Sequence, residues 1–283
     1  MSTEEPQSYR NRNEEYREFD PDDPDPTEPE RNAAARFRRH SLEPFHVDEQ
    51  ILVFNKPTGF PIATDRTGLT TFPEFHDQTL SDIGPLYEVL PIDEGAGGMV
   101  LLARTRSTQQ ALADQRSDGR LEICYVALVR ASFVEQSGTI DIPIGRRRRP
   151  PHKWQADSKA GRPAVTEWSL RDHFIGYALL ECRPRTAVSA QVRVHLAAAG
   201  MPLAVDAEYG SAENLYLSSF KSGYRPSRRR SEKPLIERPS IHAESVRFLH
   251  PTTDEPLRFE APMPKDLRAA LNQLHRFGRL PPD

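Results

Sequence analysis

A glycine-rich turn that runs directly into an apolar segment is the feature that most constrains the fold of this chain. The turn reads Asp93-Glu94-Gly95-Ala96-Gly97-Gly98, and the segment after it is Met99-Val100-Leu101-Leu102-Ala103. A near-continuous apolar run of this length is typical of a strand buried on both faces. From such a turn, Asp93 can present its carboxylate to a cleft, or it can simply close the turn. The local pattern leaves both interpretations open.

Other segments predict an α/β core around this strand. Apolar or alternating runs indicate further strands at 51–54, 121–131, 164–171, 177–184, 244–249 and 256–260. Helix formers from Thr105 to Gln115 are stopped by Asp118-Gly119. A last helix takes Pro264 in its first turn and has Leu267, Leu271 and Leu274 as its apolar stripe.

Two side chains on these elements are of chemical interest. Tyr125 lies in the middle of the 121–131 strand, where the backbone is rigid, and both faces of that strand are apolar enough to be buried. A short helix from Ala190 to Ala199 carries Arg193, with Ser189 predicted as its N-cap and Gly200 as its C′ residue. Arg193 should lean toward the helix N-terminus, where a carboxylate is favoured. Either a structural or a catalytic ion pair fits that pattern, and His195 fits a core histidine equally well.

Charge is distributed unevenly along the 283 residues. The net charge is −3, but residues 1–30 alone carry −8 and the rest of the chain +5. The acidic segment also holds five prolines and almost no aliphatic residues, a composition that cannot offset its ordering entropy by burial. We therefore predict that residues 1–40 form a disordered tail, either simply solvated or competing with nucleic acid for a basic surface.

The positive excess lies in two basic segments that read as exposed loops. Their candidate RNA-binding residues are Arg146, Arg147, Arg148, Arg149 and Lys153 in the first, and Arg228, Arg229 and Arg230 in the second. Arginine pairs well with phosphate oxygens, and release of counterions favours the association. Trp154 adjoins the first segment and could stack on a base. The alternative is that both runs are only solvated loops.

Several classes of function are disfavoured. The chain has no P-loop, HExxH, CxxC or G-x-S-x-G motif. A metal site from His195, Asp206, His242 and His250 is not suggested by their spacing. Cys124 and Cys182 lie in apolar segments, which favours buried reduced thiols. With no membrane-spanning run and no leader-like start, a cytoplasmic location is the default expectation.

Five segments match, in order, the motifs of one enzyme family. They are Asn55-Lys56-Pro57-Thr58-Gly59, the segment 93–104, Tyr125-Val126-Ala127-Leu128-Val129, Gln191-Val192-Arg193-Val194-His195-Leu196, and the closing stretches 242–251 and 259–264. They are similar to the family patterns NKPxG, HRLDxxTSGLLLLAK, KxYxALV and THQIRVHL, and to the family's closing hairpin and final helix. From residue 46 to about residue 275, the chain resembles the RluA-type pseudouridine synthases, which isomerise uridine in ribosomal or transfer RNA.

This resemblance implies a fold, a reaction and a site. The fold would be an α/β (α+β) pseudouridine synthase domain over residues 41–278, with a central mixed, mostly antiparallel sheet flanked by helices and loops. Asp93 would be the catalytic aspartate, Tyr125 the active-site tyrosine and Arg193 the partner of the aspartate. The reaction exchanges no electrons, so neither a cofactor nor a metal is expected. The expected partner is rRNA or tRNA, with no membrane and no obligatory protein partner.

The chain departs from the family pattern at three cationic positions. Leu90-Pro91-Ile92-Asp93 stands where the family has HRLD, Ile123 stands for a lysine, and Val188 for the arginine of TGRTH. The arginine lost at Pro91 is the one associated with displacing the flipped base. An active RNA pseudouridine synthase is the leading prediction, and a catalytically degenerate RNA-binding homologue is the main alternative. A metal-dependent hydrolase on a similar sheet is a more remote one.

Overall fold

The structure is a computed structural model that describes residues 44–60, 63–64, 69–71, 84–91, 95–131, 135–147, 154–210, 212–225 and 231–279. The strands are β1 (Pro44–Val47), β2 (Ile51–Lys56), β3 (Ala63–Thr64), β4 (Leu69–Thr71), β5 (Leu86–Glu88), β6 (Gly97–Ala103), β7 (Glu122–Arg130), β8 (Ser137–Asp141), β9 (Ile144–Arg146), β10 (Trp154–Ala156), β11 (Val165–Phe174), β12 (Tyr177–Pro184), β13 (Ile241–Leu249) and β14 (Pro256–Glu260). The helices are α1 (Arg106–Ser117), α2 (Gln191–Ala198) and α3 (Lys265–Phe277), with a 3₁₀ turn at Leu217–Ser219. The predicted tail, residues 1–40, lies outside the described residues, so its disorder stays a prediction.

Twelve of these strands form one sheet. Its main path runs β3-β4-β5-β6-β13-β7-β12-β11-β8, with β2 also paired to β6, β1 to β2, and β14 to β13. Strands β6 and β13 pair in parallel, whereas the other strand pairs in the described part of the chain are antiparallel. This confirms the predicted mixed, mostly antiparallel sheet. Strands β9 and β10 form a separate hairpin.

The apolar run after the glycine-rich turn is strand β6. All seven of its residues are buried, and its neighbours are β2, β5 and β13. Gly98 has a φ of +113°, and a Cβ at this position would overlap the backbone of Ala243 on β13. Only glycine therefore allows β13 to approach β6 this closely.

Strand β7 is buried on both faces, as its sequence predicts. Val126 and Leu128 pack in one cluster with the apolar stripe of α3. Ala127 and Val129 pack in another cluster with α2. Tyr125 is half-buried and contacts the second cluster. The tyrosine therefore lies on the α2 side of the sheet, between that cluster and a third one that contains Met99 and Ile123.

Helix α1 has an ordinary side-chain N-cap, whereas α2 and α3 have none. The hydroxyl of Thr105 accepts the backbone N–H of Thr108 at the start of α1, which ends at Asp118 and Gly119 as predicted. Helix α3 follows Pro264, and its three predicted stripe leucines are buried. Cys124 and Cys182 are buried free thiols, as expected. No helix in the described ranges is long and apolar enough to cross a membrane.

Candidate active site

An open cleft on the α2 side of the sheet has Tyr125 in its wall. Two adjoining cavities share the lining residues Leu90, Pro91, Ile123 and Tyr125. The first comprises about 320 Å³, open solvent included, and extends along β6; the second, about 370 Å³, extends along the segment between residues 184 and 192.

The turn that carries Asp93 begins and ends at this cleft. Residues 92–94, and with them Asp93, lie outside the described residues. The residue before them, Pro91, lines both cavities. On the other side, Ala96 packs in one cluster with Tyr125 and Val192. Four residues, 92–95, therefore connect two positions that both lie near Tyr125.

Helix α2 forms the far wall of the second cavity, and its start differs from the prediction. The helix begins at Gln191, and Ala190 occupies the N-cap position with a φ of +55° and no side-chain cap. The prediction of Ser189 as N-cap is therefore wrong. The buried Gln191 amide instead binds the segment before the helix: its oxygen accepts the Val188 N–H at 3.1 Å and its nitrogen donates to the Val165 carbonyl at 2.9 Å. The predicted C′ residue, Gly200, has a φ of +77°, in agreement with that role.

His195 is a core histidine. It is fully buried, its Nε2 lies 2.8 Å from the Ile142 carbonyl oxygen, and its Nδ1 lies 2.9 Å from the Thr166 hydroxyl. The carbonyl requires a proton on Nε2, so Nδ1 accepts from the hydroxyl. Burial lowers the pKa of His195, which keeps the ring neutral. It joins α2 to the sheet and is not a candidate catalytic base.

Arg193 is held on α2 by a carboxylate that the sequence did not indicate. Its Nε donates to Oδ2 of Asp206 at 2.8 Å, and its Nη2 donates to Oδ1 at 2.8 Å. Nη2 also donates to Glu208 at 3.3 Å, and the guanidinium carbon lies 4.8 Å from the ring centroid of Tyr209. The predicted pairing of Arg193 with Asp93 stays a prediction, because Asp93 lies outside the described residues.

Asp206 is ionised in this arrangement. Burial alone would raise its pKa, but the hydrogen bonds and charge of Arg193, with two backbone N–H donors, lower the pKa of Asp206 below its usual value. Sequence reasoning considered Asp206 only as a metal ligand. The available signal was its position directly after the apolar run Leu203-Ala204-Val205, where a carboxylate is buried and so requires a partner.

Comparison with known proteins identifies the family. The family model described as RNA pseudouridylate synthase matches residues 50–198. This range, more than half of the chain, extends from β2 to the end of α2 and includes the cleft. The chain belongs to the RNA pseudouridylate synthase family. Family membership confirms the resemblance drawn from the motifs and, with it, the class of enzyme: an RNA pseudouridine synthase, which is an isomerase.

Curated relatives agree over most of their length. The chain is 35% identical over 237 residues to ribosomal large subunit pseudouridine synthase D of Xanthomonas campestris, which covers 82% of the chain and 69% of that protein. It is 28% identical to ribosomal large subunit pseudouridine synthase C of Escherichia coli, covering 80% and 68%. It is also 28% identical to an uncharacterized RNA pseudouridine synthase, YlyB, of Bacillus subtilis, covering 84% and 74%.

Solved structures of the family share the fold. The human RNA pseudouridylate synthase domain containing 1 protein superposes with a TM-score of 0.56 at 19% identity, covering 86% of this chain and 97% of that one. The human domain containing 4 protein gives a TM-score of 0.54 at 19% identity, covering 86% and 96%. The predicted pseudouridine synthase fold is therefore confirmed.

The three positions where this synthase lacks the family's cations converge on the cleft. Pro91, Ile123 and Val188 all line the second cavity together with Tyr125. Its described lining contains no charged side chain. The described wall of this cavity is therefore uncharged, although Thr186 and Gln191 make it partly polar.

Lys56 is a cleft residue that the sequence analysis treated only as part of a turn motif. It lines the first cavity at the end of β2. The residue is 3% exposed, and its Nζ donates to the Phe60 carbonyl at 3.3 Å. The sequence did contain a signal for this residue. Lys56 ends an apolar strand, directly before Pro57, and a lysine that is buried there is rare enough to suggest a function.

One group of metal-ligand types occurs among the described residues. Atoms of Cys124, Glu181 and Glu244 lie within 4.8 Å of one another. Both carboxylates are already bound by Arg171, at 2.8 Å to Glu181 and 2.7 Å to Glu244. Burial raises the pKa of the Cys124 thiol to about 11. A thiol that stays protonated beside neutralised carboxylates is a poor metal site.

The first basic segment is partly a hairpin. Arg146 lies in β9 opposite Trp154 in β10, so the prediction of a loop is wrong for these two residues. The guanidinium carbon of Arg146 lies 5.3 Å from the Trp154 ring centroid. The neighbouring Arg147 is exposed. The other candidate RNA-binding residues, Arg148, Arg149, Lys153, Arg228, Arg229 and Arg230, lie outside the described residues.

Proposed function

We propose that this synthase converts uridine to pseudouridine in large-subunit ribosomal RNA, with Asp93 as the catalytic carboxylate. The observation that carries the proposal is that Tyr125 and both ends of the Asp93 turn meet on one wall of the cleft. The names of two relatives, ribosomal large subunit pseudouridine synthases C and D, favour ribosomal over transfer RNA. A cytoplasmic location is part of the proposal, because ribosomal RNA is modified where ribosomes form.

The reaction requires few groups. The bond from the sugar C1′ to N1 of uracil breaks, the base turns, and C1′ bonds to C5; C5 loses a proton and N1 gains one. An ionised Asp93 can attack the sugar or the base, or it can remove a sugar proton to give a glycal. Each route uses the same carboxylate, and none changes an oxidation state.

Arg193 and Tyr125 support that carboxylate in the proposal. Arg193 favours the ionised form of Asp93 and fixes its direction by a charge-assisted hydrogen bond. The two hydrogen bonds from Arg193 to Asp206 fix the orientation of the guanidinium. Tyr125 packs beside the uracil and accepts or relays the C5 proton.

Contacts to phosphate offset the cost of extruding the nucleotide, which is about a few kcal/mol. We propose Arg146, Arg147, Arg148, Arg149, Lys153, Arg228, Arg229 and Arg230 for this role. Replacing both Arg146 and Arg147 by glutamine should reduce the slope of log affinity against log salt by about 1.4 for single-stranded RNA. Replacing the exposed residues Arg120 and Arg276 by glutamine should leave the salt slope unchanged. If the Arg146/Arg147 double variant also kept the wild-type slope, these two arginines would not contact phosphate.

A second candidate function is RNA binding without isomerisation. The apolar residues at Pro91, Ile123 and Val188 favour it, because they remove the cations that the family uses around the flipped base. The two functions differ in one outcome, the appearance of pseudouridine.

The decisive experiment maps pseudouridines by carbodiimide-dependent reverse-transcription stops in total RNA, with and without the protein. We expect new stops in large-subunit ribosomal RNA. The Asp93→Asn variant should abolish them and still bind RNA, whereas Glu94→Gln, which changes the neighbouring carboxylate of the same turn, should retain them. Stops confined to transfer RNA would refute ribosomal RNA as the substrate. RNA binding without any stops would support the second function, RNA binding without isomerisation.

A further inference from the structure

A second concave surface lies outside the catalytic cleft, between the β9–β10 hairpin and the last turns of α2. It comprises about 620 Å³, open solvent included. We name it the hairpin groove, with Trp154 and Tyr209 as its walls, Ala197 and Ala198 as its floor, and Arg147 and Gln155 at its rim. We propose that the hairpin groove binds one unpaired nucleotide of the RNA substrate, near the target uridine. This inference rests on the proposed function, because it takes the RNA from the neighbouring cleft.

The walls of the groove are rigid aromatic side chains. The backbone N–H of Trp154 donates to the hydroxyl of Tyr209 at 3.2 Å. Both rings also pack against one apolar cluster, which includes Ile144, Val188 and Val194. A preformed aromatic wall loses little conformational entropy when a base packs against it.

The floor leaves room for a base. Ala197 is half-buried and Ala198 is exposed, and each presents only a methyl group. A helix surface with alanine at successive positions allows a flat ring to approach the helix closely. The space between this floor and the aromatic walls is therefore suited to a planar group.

The charge at the rim suits a polyanion. Arg146 and Arg147 are both exposed on the hairpin, and the Nε of Arg147 donates to the Gln155 amide oxygen at 3.0 Å. One acidic residue, Glu208, also lines the groove. Its carboxylate accepts a hydrogen bond from Arg193 at 3.3 Å, so its repulsion of a phosphate is reduced. Guanidinium groups beside aromatic rings and an amide favour a nucleotide over an apolar peptide.

The groove and the cleft are lined by opposite ends of one helix. Gln191 and Val192 of α2 line the cleft, whereas Ala197 and Ala198 line the groove. Six residues of helix span about 9 Å, which equals about three stacked nucleotides at about 3.4 Å each. A single strand running along α2 would therefore place its target in the cleft and a nucleotide about three positions away in the groove.

The test fills the groove with a side chain. Ala198→Phe, at an exposed helical position, should weaken binding of a fluorescein-labelled decauridylate at least about fivefold, the lower end of the loss expected for one base stack. The matched control is Ala199→Phe, which is exposed but does not line the groove and should bind like wild type. Thermal melting of both variants checks that each is folded. Equal affinities of Ala198→Phe and Ala199→Phe would overturn the proposal.

Cross-linking gives an independent readout. Decauridylate carrying one 4-thiouridine should cross-link, on irradiation, to peptides containing residues 154–156 or 208–209, and Ala198→Phe should remove these products. Cross-links confined to other peptides would overturn the proposal. Pseudouridine formation is measured separately, which distinguishes two failures. If the protein forms pseudouridine but Ala198→Phe binds RNA like wild type, only the groove proposal is refuted. If the protein forms no pseudouridine but Ala198→Phe weakens RNA binding, only the proposed isomerase function is refuted.

Discussion

The guanidinium of Arg193 and the carboxylate of Asp206 form a bidentate salt bridge, with both nitrogen–oxygen distances at 2.8 Å. The Arg193 side chain is 8% exposed and that of Asp206 is 0% exposed. Oδ1 of Asp206 also accepts the backbone N–H groups of Glu208 and Tyr209. The arginine proposed to orient the catalytic aspartate is thus itself oriented, by a carboxylate that the backbone holds in place.

We expect Asp206→Ala to be strongly destabilising. Removing one partner of a buried pair leaves the other charge uncompensated, and the free energy of unfolding should fall by about 3–5 kcal/mol. Urea denaturation measures it. The double variant Arg193→Met with Asp206→Leu should regain most of this stability, because apolar groups of similar volume can replace a buried pair. It should not regain pseudouridine formation; recovery of activity would show that Arg193 is dispensable.

Tyr125→Phe tests the proposed role of the phenol in proton transfer. Phenylalanine fills the same space, so folding and RNA affinity should change little. The turnover number should fall by about 10²–10⁴, the usual contribution of a positioned acid or base. Tyr177→Phe is the matched control, since Tyr177 is a strand tyrosine buried in the cluster with α3. If both variants turn over at the wild-type rate, Tyr125 only shapes the cleft.

The uncharged cleft wall predicts a preference for unpaired uridines. Without an arginine at Pro91 to replace a displaced base, the cost of unpairing, about a few kcal/mol, has less compensation. The specificity constant for a uridine in a single-stranded loop should exceed that for the same uridine in a duplex by at least about tenfold. Pro91→Arg should reduce this ratio. Equal rates on both substrates would show that the lost cation is not needed for extrusion.

Seven of the fourteen strands in the described residues could be predicted from sequence because an apolar run or an alternating pattern is local, whereas short strands such as β8 and β9 were not predicted. The expected segments 177–184 and 256–260 coincide with β12 and β14, and the turn residues that bound them explain the agreement. Their arrangement in the sheet could not be predicted in the same way. Strand β13 lies between β6 and β7, and that insertion depends on pairing between segments far apart in the chain.

In the candidate site, too, features set by neighbouring residues could be predicted, and contacts between distant residues could not. Tyr125 was correctly placed mid-strand by its pattern, and Asp93 stays a prediction. The prediction of Ser189 as N-cap was wrong because Ala190 takes the N-cap position with a φ of +55°, a conformation that an alanine rarely adopts and that its sequence does not indicate. The partner of Arg193 could not be found from spacing, since Asp206 is 13 residues away across a loop and the chain offers 41 acidic residues.

Asp48 should make stability depend on pH in the acid range. Its carboxylate lies 2.6 Å from Nε2 of His46 and 3.0 Å from Nε2 of His250. Burial alone would raise its pKa, but these hydrogen bonds and two from backbone N–H groups lower the pKa of Asp48 from 3.8 to about 2. Because the folded-state pKa is depressed, the stabilisation is complete above the unfolded value and is lost as the pH falls through the folded one.

Measuring the free energy of unfolding of wild type and Asp48→Asn tests this. Their difference should be largest above pH 3.8 and should decline as the pH approaches about 2. Glu49→Gln, which changes the exposed carboxylate next along the chain, should show a smaller dependence. A difference between wild type and Asp48→Asn that stays constant over this range would mean that the two histidines do not hold the ionised form.

Gly98→Ala should damage the junction between β6 and β13, which lies directly after the turn that carries Asp93. The φ of +113° strains any other residue, and the added methyl group would overlap the backbone of Ala243. We expect the free energy of unfolding to fall by more than about 2 kcal/mol, since backbone strain alone costs about 1–3 kcal/mol. The matched control is Gly119→Ala, where φ is +72° but nothing lies within 4 Å of the added Cβ. It should lose only about 1–2 kcal/mol. Because the two substitutions share a positive φ and differ in contact, equal losses would mean that β13 can move away from β6, and that this strand pair is less rigid than the structure indicates.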